Sequence, residues 1–166
     1  MMIWNAATLA SLVAAAAPAT VDWKDWSPLL GTWEADRSGD GATGAFTLSV
    51  ELQGHILLRK NQADYPKTKE RPAFRHEDLL VLWRDGSVTR GEYWDTEGHF
   101  IRYVVSVDAG SKTFTFASDV IQGQPRYRLT YVVSSPSALS LKFEIAPPDA
   151  PEQYKPYITA NLHRVH

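Results

Sequence analysis

After Pro28 the chain alternates apolar and polar residues with a period of two, and this restricts it to β-structure. Phe46, Leu48, Val50 and Leu52 alternate with Thr47, Ser49 and Glu51. Tyr127, Leu129, Tyr131 and Val133 repeat the pattern, as do Leu139, Leu141, Phe143 and Ile145. Successive side chains of a strand point to opposite faces, so each run has one face to bury. No stretch after Pro28 carries a convincing 3.6-residue apolar period. Turn residues punctuate the series at Ser38-Gly39-Asp40-Gly41, Gln53-Gly54, Asp85-Gly86, Glu97-Gly98, Asp108-Ala109-Gly110, Gln122-Gly123 and Ser135-Pro136. The segments between them run about 8–12 residues, the spacing of an all-β sandwich or barrel. The pattern predicts about ten strands, near residues 30–37, 43–52, 55–63, 75–84, 87–95, 99–107, 112–119, 125–133, 138–146 and 157–165. Connections this short join antiparallel neighbours, and closing the sheet removes its edges. The predicted fold is therefore all-β, an antiparallel up-and-down barrel of about ten strands. Two longer connections, 64–74 and 147–156, read equally as lids over a mouth or as tolerated insertions.

Val21 to Pro28 places Trp23 and Trp26 three residues apart, on one side of a short helical turn. Such a turn would plug the open end of a barrel before Pro28 breaks it. Met1 to Ala19 reads as a secretory signal. Its Ala-rich stretch is too short to span a bilayer, and Ala17-Pro18-Ala19 offers small residues for cleavage before Thr20. No Lys or Arg precedes that stretch, so a retained N-terminal helix is the alternative. The expected organisation is a signal peptide over 1–19 and one barrel domain over 20–166, exported to the periplasm or beyond. A length of 166 residues suits one domain with a sizeable core. A net charge of -2 gives no footprint for nucleic acid or a polybasic anchor. Without cysteine the chain has no disulfide, thiolate metal site or thioether lipid anchor.

Leu30-Gly31-Thr32-Trp33-Glu34, the Leu52-Gln53-Gly54 turn, Tyr93-Trp94-Asp95 followed by Gly98, and the closing strand resemble the calycin group, the lipocalins and their relatives. More specifically, they resemble a family of exported bacterial proteins of unknown function with a lipocalin-like barrel. In lipocalins the Trp of the Gly-x-Trp motif lies at the closed end beneath an Arg near the last strand. The resemblance assigns those places to Trp33 and Arg164, with Gly31 allowing close backbone approach. This is a structural role. Tyr157-Ile158-Thr159-Ala160-Asn161-Leu162-His163-Arg164 is also similar to the terminal strand of the ten-stranded nitrobindins, which bind haem through a His. Tyr157 stands at the matching position, so the usual ligand is missing and haem is not expected. By residue count, His163 shares the side of Tyr157.

His55, His76, His99, His163 and His166 lack zinc-site spacing and read as turn and surface residues, although His76 and Asp78 share a strand face. No metal and no cofactor are expected. The pairs Glu77/Asp78 and Glu92/Asp95 read as solvated strand edges. There is no Gly-x-Ser-x-Gly elbow and no phosphate-cradling glycine loop, so no enzyme class is indicated. Arg59, Arg90, Arg102 and Arg128 stand inside strand-like runs. A buried Arg is costly unless paired or neutralised by a ligand. Any that point inward near Tyr103, Tyr127 or Tyr131 would form an anion clamp, as in the fatty-acid-binding barrels that this fold resembles. By alternation, Arg102 and Arg128 face solvent if the apolar face is the core. The expected partner is a small apolar or amphipathic ligand, with a carboxylate to meet the clamp. A barrel filled by its own side chains, serving as a structural or interaction module, stays open as the alternative. A haem protein or barrel enzyme ranks below both.

Overall fold

The computed structural model describes residues 21–37 and 41–165. Residues 1–20, which include the expected signal peptide Met1–Ala19, residues Ser38-Gly39-Asp40 of an expected turn, and the terminal His166 lie outside the described residues. The strands are β1 (Gly31–Ala35), β2 (Thr43–Glu51), β3 (Ile56–Tyr65), β4 (Phe74–Asp85), β5 (Val88–Asp95), β6 (Phe100–Asp108), β7 (Thr113–Ser118), β8 (Arg126–Ser135), β9 (Ala138–Ala146) and β10 (Lys155–Val165). All sequential neighbours pair antiparallel, and β1 pairs with β10, so the sheet closes as an up-and-down barrel of calycin-like architecture. Strand limits lie within two residues of those read from the alternation. Among the described residues, no helix is long and apolar enough to cross a membrane.

The alternation decides what fills the barrel. Trp33, Phe46, Leu48, Leu57, Leu80, Leu82, Tyr103, Phe114, Phe116 and Tyr131 project inward and are buried. One end is sealed. The 3-10 turn Lys24–Trp26 inserts Trp26, whose ring centroid lies 5.2 Å from that of Phe114 and 6.0 Å from that of Phe116. Trp23 donates from Nε1 to the Gly54 carbonyl at 2.9 Å, pinning the plug to the β2–β3 turn. Trp33 donates to the Leu29 carbonyl at 3.0 Å.

Arg164 lies 4.2 Å over the Trp33 ring and donates to the carbonyls of Pro136, Pro28 and Leu30. The guanidinium therefore caps an indole face and satisfies three backbone acceptors that water would otherwise have to reach. Gly31 makes room for it. Its φ is +108°, and a Cβ there would come within 2.5 Å of Arg164 Nη1. Strand β10 contains a bulge between Pro156 and Ile158, where the missing N–H of proline is tolerated. The bulge breaks the count that put His163 on the side of Tyr157. Leu162 and Arg164 turn inward, and exposed His163 bonds Asp36 at 2.9 Å instead. Of the two longer connections, the one after β9 packs on the outer wall, with Tyr154 4.0 Å beneath Arg128 and Glu152 paired with Arg126.

Candidate functional site

The sealed lower half leaves the opposite end as the place where lumen and solvent meet. Strands β3 and β5 end there and β4 begins there, so their inward residues near that end are Arg59 and Asn61, His76 and Asp78, and Tyr93 and Asp95. Each pair is spaced two apart and thus shares a face.

Arg59 sits at the bottom of this group, 5% exposed. It donates to the carboxylate of Asp78 and to the Tyr131 hydroxyl. Burial opposes its charge, but Asp78 and Tyr131 outweigh burial and hold the guanidinium firmly protonated. Burial likewise pushes the Asp78 carboxyl up. The Arg59 charge and hydrogen bonds from His76, Arg59 and Asn61 overcome it, so Asp78 stays ionised below the usual carboxylate range. Asn61 Nδ2 reaches Asp78 at 2.8 Å. Arg59 Nε is buried without a partner, so the group is not a fully satisfied structural staple.

Above Asp78 the polar ladder continues to the rim. His76 Nε2 lies 3.1 Å from Asp78, and Nδ1 lies 2.7 Å from Glu97. Both neighbours only accept, so both ring nitrogens donate. The Asp78 hydrogen bond, aided by Glu97 and opposed by burial, raises the His76 pKa to about 8. Tyr93 donates to Asp95 at 3.1 Å, and burial followed by the Asp78 and Asp95 charges pushes its hydroxyl pKa up. Asp95 also accepts from the backbone of Glu97 and His99 and from His99 Nδ1 at 2.8 Å. These bonds hold its carboxyl low against desolvation. Asp78 and Asp95 are direct cross-strand partners, a like-charge pairing that needs compensating groups on both sides.

The opposite wall is aromatic. Tyr127 on β8 and Phe143 on β9 stack with centroids 6.0 Å apart and planes 5° apart. Tyr157, the extra residue of the β10 bulge, meets Phe143 edge-on and is 70% exposed at the rim. Desolvation and, after it, the charge of Asp95 raise the Tyr127 pKa, so the two walls share one electrostatic space.

Of the four arginines expected as an anion clamp, Arg59 alone faces the lumen. Arg90 lies on the outer wall near Asp85 and Asp119, at 3.6 and 4.0 Å. Arg102 is 3.5 Å from Glu92, and Arg128 is 2.7 Å from Glu144, both on that same wall. Tyr103 and Tyr131 are buried beneath the mouth, and Tyr127 is half-buried within it. Gly31, Trp33 and Arg164 meet at the sealed end. The reading of two carboxylate pairs as solvated edges needs correction. Glu77 is exposed and Glu92 lies on the outer wall, but Asp78 and Asp95 turn inward with side chains 3% exposed. The i, i+2 spacings Arg59/Asn61, His76/Asp78 and Tyr93/Asp95 carried that signal. It was masked because adjacent acids look alike in sequence while strand geometry sends them to opposite faces.

Two concavities mark the outer wall. One, of about 690 Å³, runs over β2–β5; Lys60, Glu77, Leu79 and Trp94 line it from the outer face, and Asn61, Asp78 and Asp95 also border it. The other, of about 250 Å³, includes Trp83, Arg90 and Arg102. Comparison with family models and with curated proteins gives no match to either.

Proposed function

We propose that this protein is a small-molecule-binding barrel whose compact, amphipathic ligand sits in the open mouth. One observation carries the reading: a hydrogen-bonding wall of Asn61, Asp78, His76 and Tyr93 faces an aromatic wall of Tyr127, Phe143 and Tyr157. Ligand sites combine apolar lining with a few convergent polar groups in this way. Arg59, Asp78 and Tyr131 form a floor, so the mouth suits a compact ligand better than a long chain threaded down the axis. The carboxylate clamp expected from the sequence is also weakened. Asp78 already neutralises Arg59, and an acidic ligand would meet Asp95 and Glu97 at the rim. A hydrogen-bond donor or a positively charged head group fits that wall better. The sealed end built by Gly31, Trp33 and Arg164 supports a lipocalin-like relationship, and the apolar stretch Met1–Ala19 supports export.

The filled interior around Trp26, Phe114 and Phe116 favours the second reading, a barrel that serves as an interaction module. Titration with two probes that share a dansyl fluorophore separates the readings. One carries a short alkylamine, the other a long-chain fatty acid. Saturable binding is expected for the amine, tighter than for the acid, and weakened about tenfold or more by Asn61→Leu or Tyr157→Ala. Saturable binding by neither probe would favour the interaction module.

A further inference from the structure

The geometry points to a divalent transition-metal site at the rim, with His76, Asp95 and Glu97 as its three protein ligands. It stands apart from the organic-ligand reading, since it needs none of the aromatic wall. One ligand atom from each of the three residues lies within 4.8 Å of the others. A ring nitrogen with two carboxylate oxygens suits zinc or a neighbouring first-row ion, with a fourth position left for water.

The surroundings of His76 make the cluster more than a chance gathering of acids. A metal-bound imidazole characteristically donates its other N–H to a carboxylate, which fixes the ring and raises its basicity. His76 has that arrangement: Nε2 donates to Asp78, and Nδ1 is turned toward Glu97. Asp78 is itself held from below by Arg59 and Asn61, with its side chain 3% exposed. The ring is therefore aimed by a buried support built from β3 and β4. Asp95 is aimed as well, by the backbone N–H groups of Glu97 and His99 and by Tyr93.

Charge and size agree with an ion at this place. Arg59 balances Asp78, which leaves Asp95 and Glu97 as two carboxylates facing one imidazole. Nδ1 and the Glu97 carboxylate lie 2.7 Å apart, whereas two donors about 2 Å from a tetrahedral zinc stand roughly 3.3 Å apart. Glu97 lies on the β5–β6 turn with its side chain 41% exposed, so it has room to yield that difference. His99, bonded to Asp95 and 58% exposed, positions that carboxylate from the solvent side.

Isothermal titration of metal-stripped protein with Zn²⁺ alone tests the site. Wild type should bind one equivalent. His76→Gln, Asp95→Asn and Glu97→Gln should each weaken binding about tenfold or more, while Glu77→Gln and His163→Ala leave it unchanged. The His163 control matters because Glu34 and Asp36 lie beside it. Where a variant melts early, histidine-detected ¹⁵N NMR of wild type replaces it, and Zn²⁺ should shift the Nδ1 resonance of His76. Absence of saturable binding, or binding removed by His163→Ala and kept by His76→Gln, would overturn the assignment. Because the probe is the ion alone, failure here leaves the dansyl-probe result standing, and the reverse also holds.

Discussion

A guanidinium as buried as that of Arg59 persists only where its charge is matched, and Asp78 supplies the match. Removing one partner strands the other. Arg59→Met should cost about 3–5 kcal/mol in urea unfolding, because Asp78 is left ionised and enclosed. Arg59→Met combined with Asp78→Leu should recover most of that loss. A single variant as stable as wild type would mean that the pair contributes nothing to the floor. At the sealed end, Trp33→Ala removes a fully buried indole along with the surface on which Arg164 rests. A loss of about 3–5 kcal/mol is expected. A melting temperature within a degree of wild type would contradict the closure described for this end.

The elements were largely legible in the sequence because strand period and turn chemistry are local. Leu129 inside and Arg128 outside follow from alternation alone, and Asp85-Gly86 marks its hairpin without tertiary help. The site was less legible. Which face of β4 or β5 turns inward near the mouth depends on the register of several strands, and the face that is apolar lower down becomes polar at Asp78 and Asp95. The bulge at Pro156–Ile158 was likewise invisible to a residue count, since it depends on how β10 meets β9. Strand pairing also produces the outer brace in which Glu144 accepts from Arg128 at 2.7 Å and lies 3.1 Å from Lys142. The hydrogen bond from Arg128 leads the forces that lower the Glu144 pKa, against desolvation. The stabilisation is therefore complete above the ordinary glutamate value of about 4.5 and is lost as pH falls through the lowered one. Thermal melts from pH 7 to pH 3 should show a wild-type advantage over Glu144→Gln that narrows in acid. A constant difference would show that the brace adds no pH-dependent stability.

As a whole, the molecule is a closed cylinder with two unlike ends. Aromatic packing and Arg164 seal one, while a polar ladder faces an aromatic wall at the other. If the chain is exported as proposed, the mature protein from its native host should begin near Thr20 on N-terminal sequencing, and a chain that keeps Met1 or Met2 contradicts export. The proposal that binding occurs in the mouth has a specific competitor in the outer groove, where Leu79 and Trp94 are exposed and Phe100 packs beside Trp94. NMR perturbation mapping with the dansyl alkylamine distinguishes the two surfaces directly. The mouth account predicts that shifts concentrate at His76, Tyr93, Tyr127, Phe143 and Tyr157. Shifts centred instead on Lys60, Leu79, Trp94 and Phe100, with the luminal residues unmoved, would contradict it.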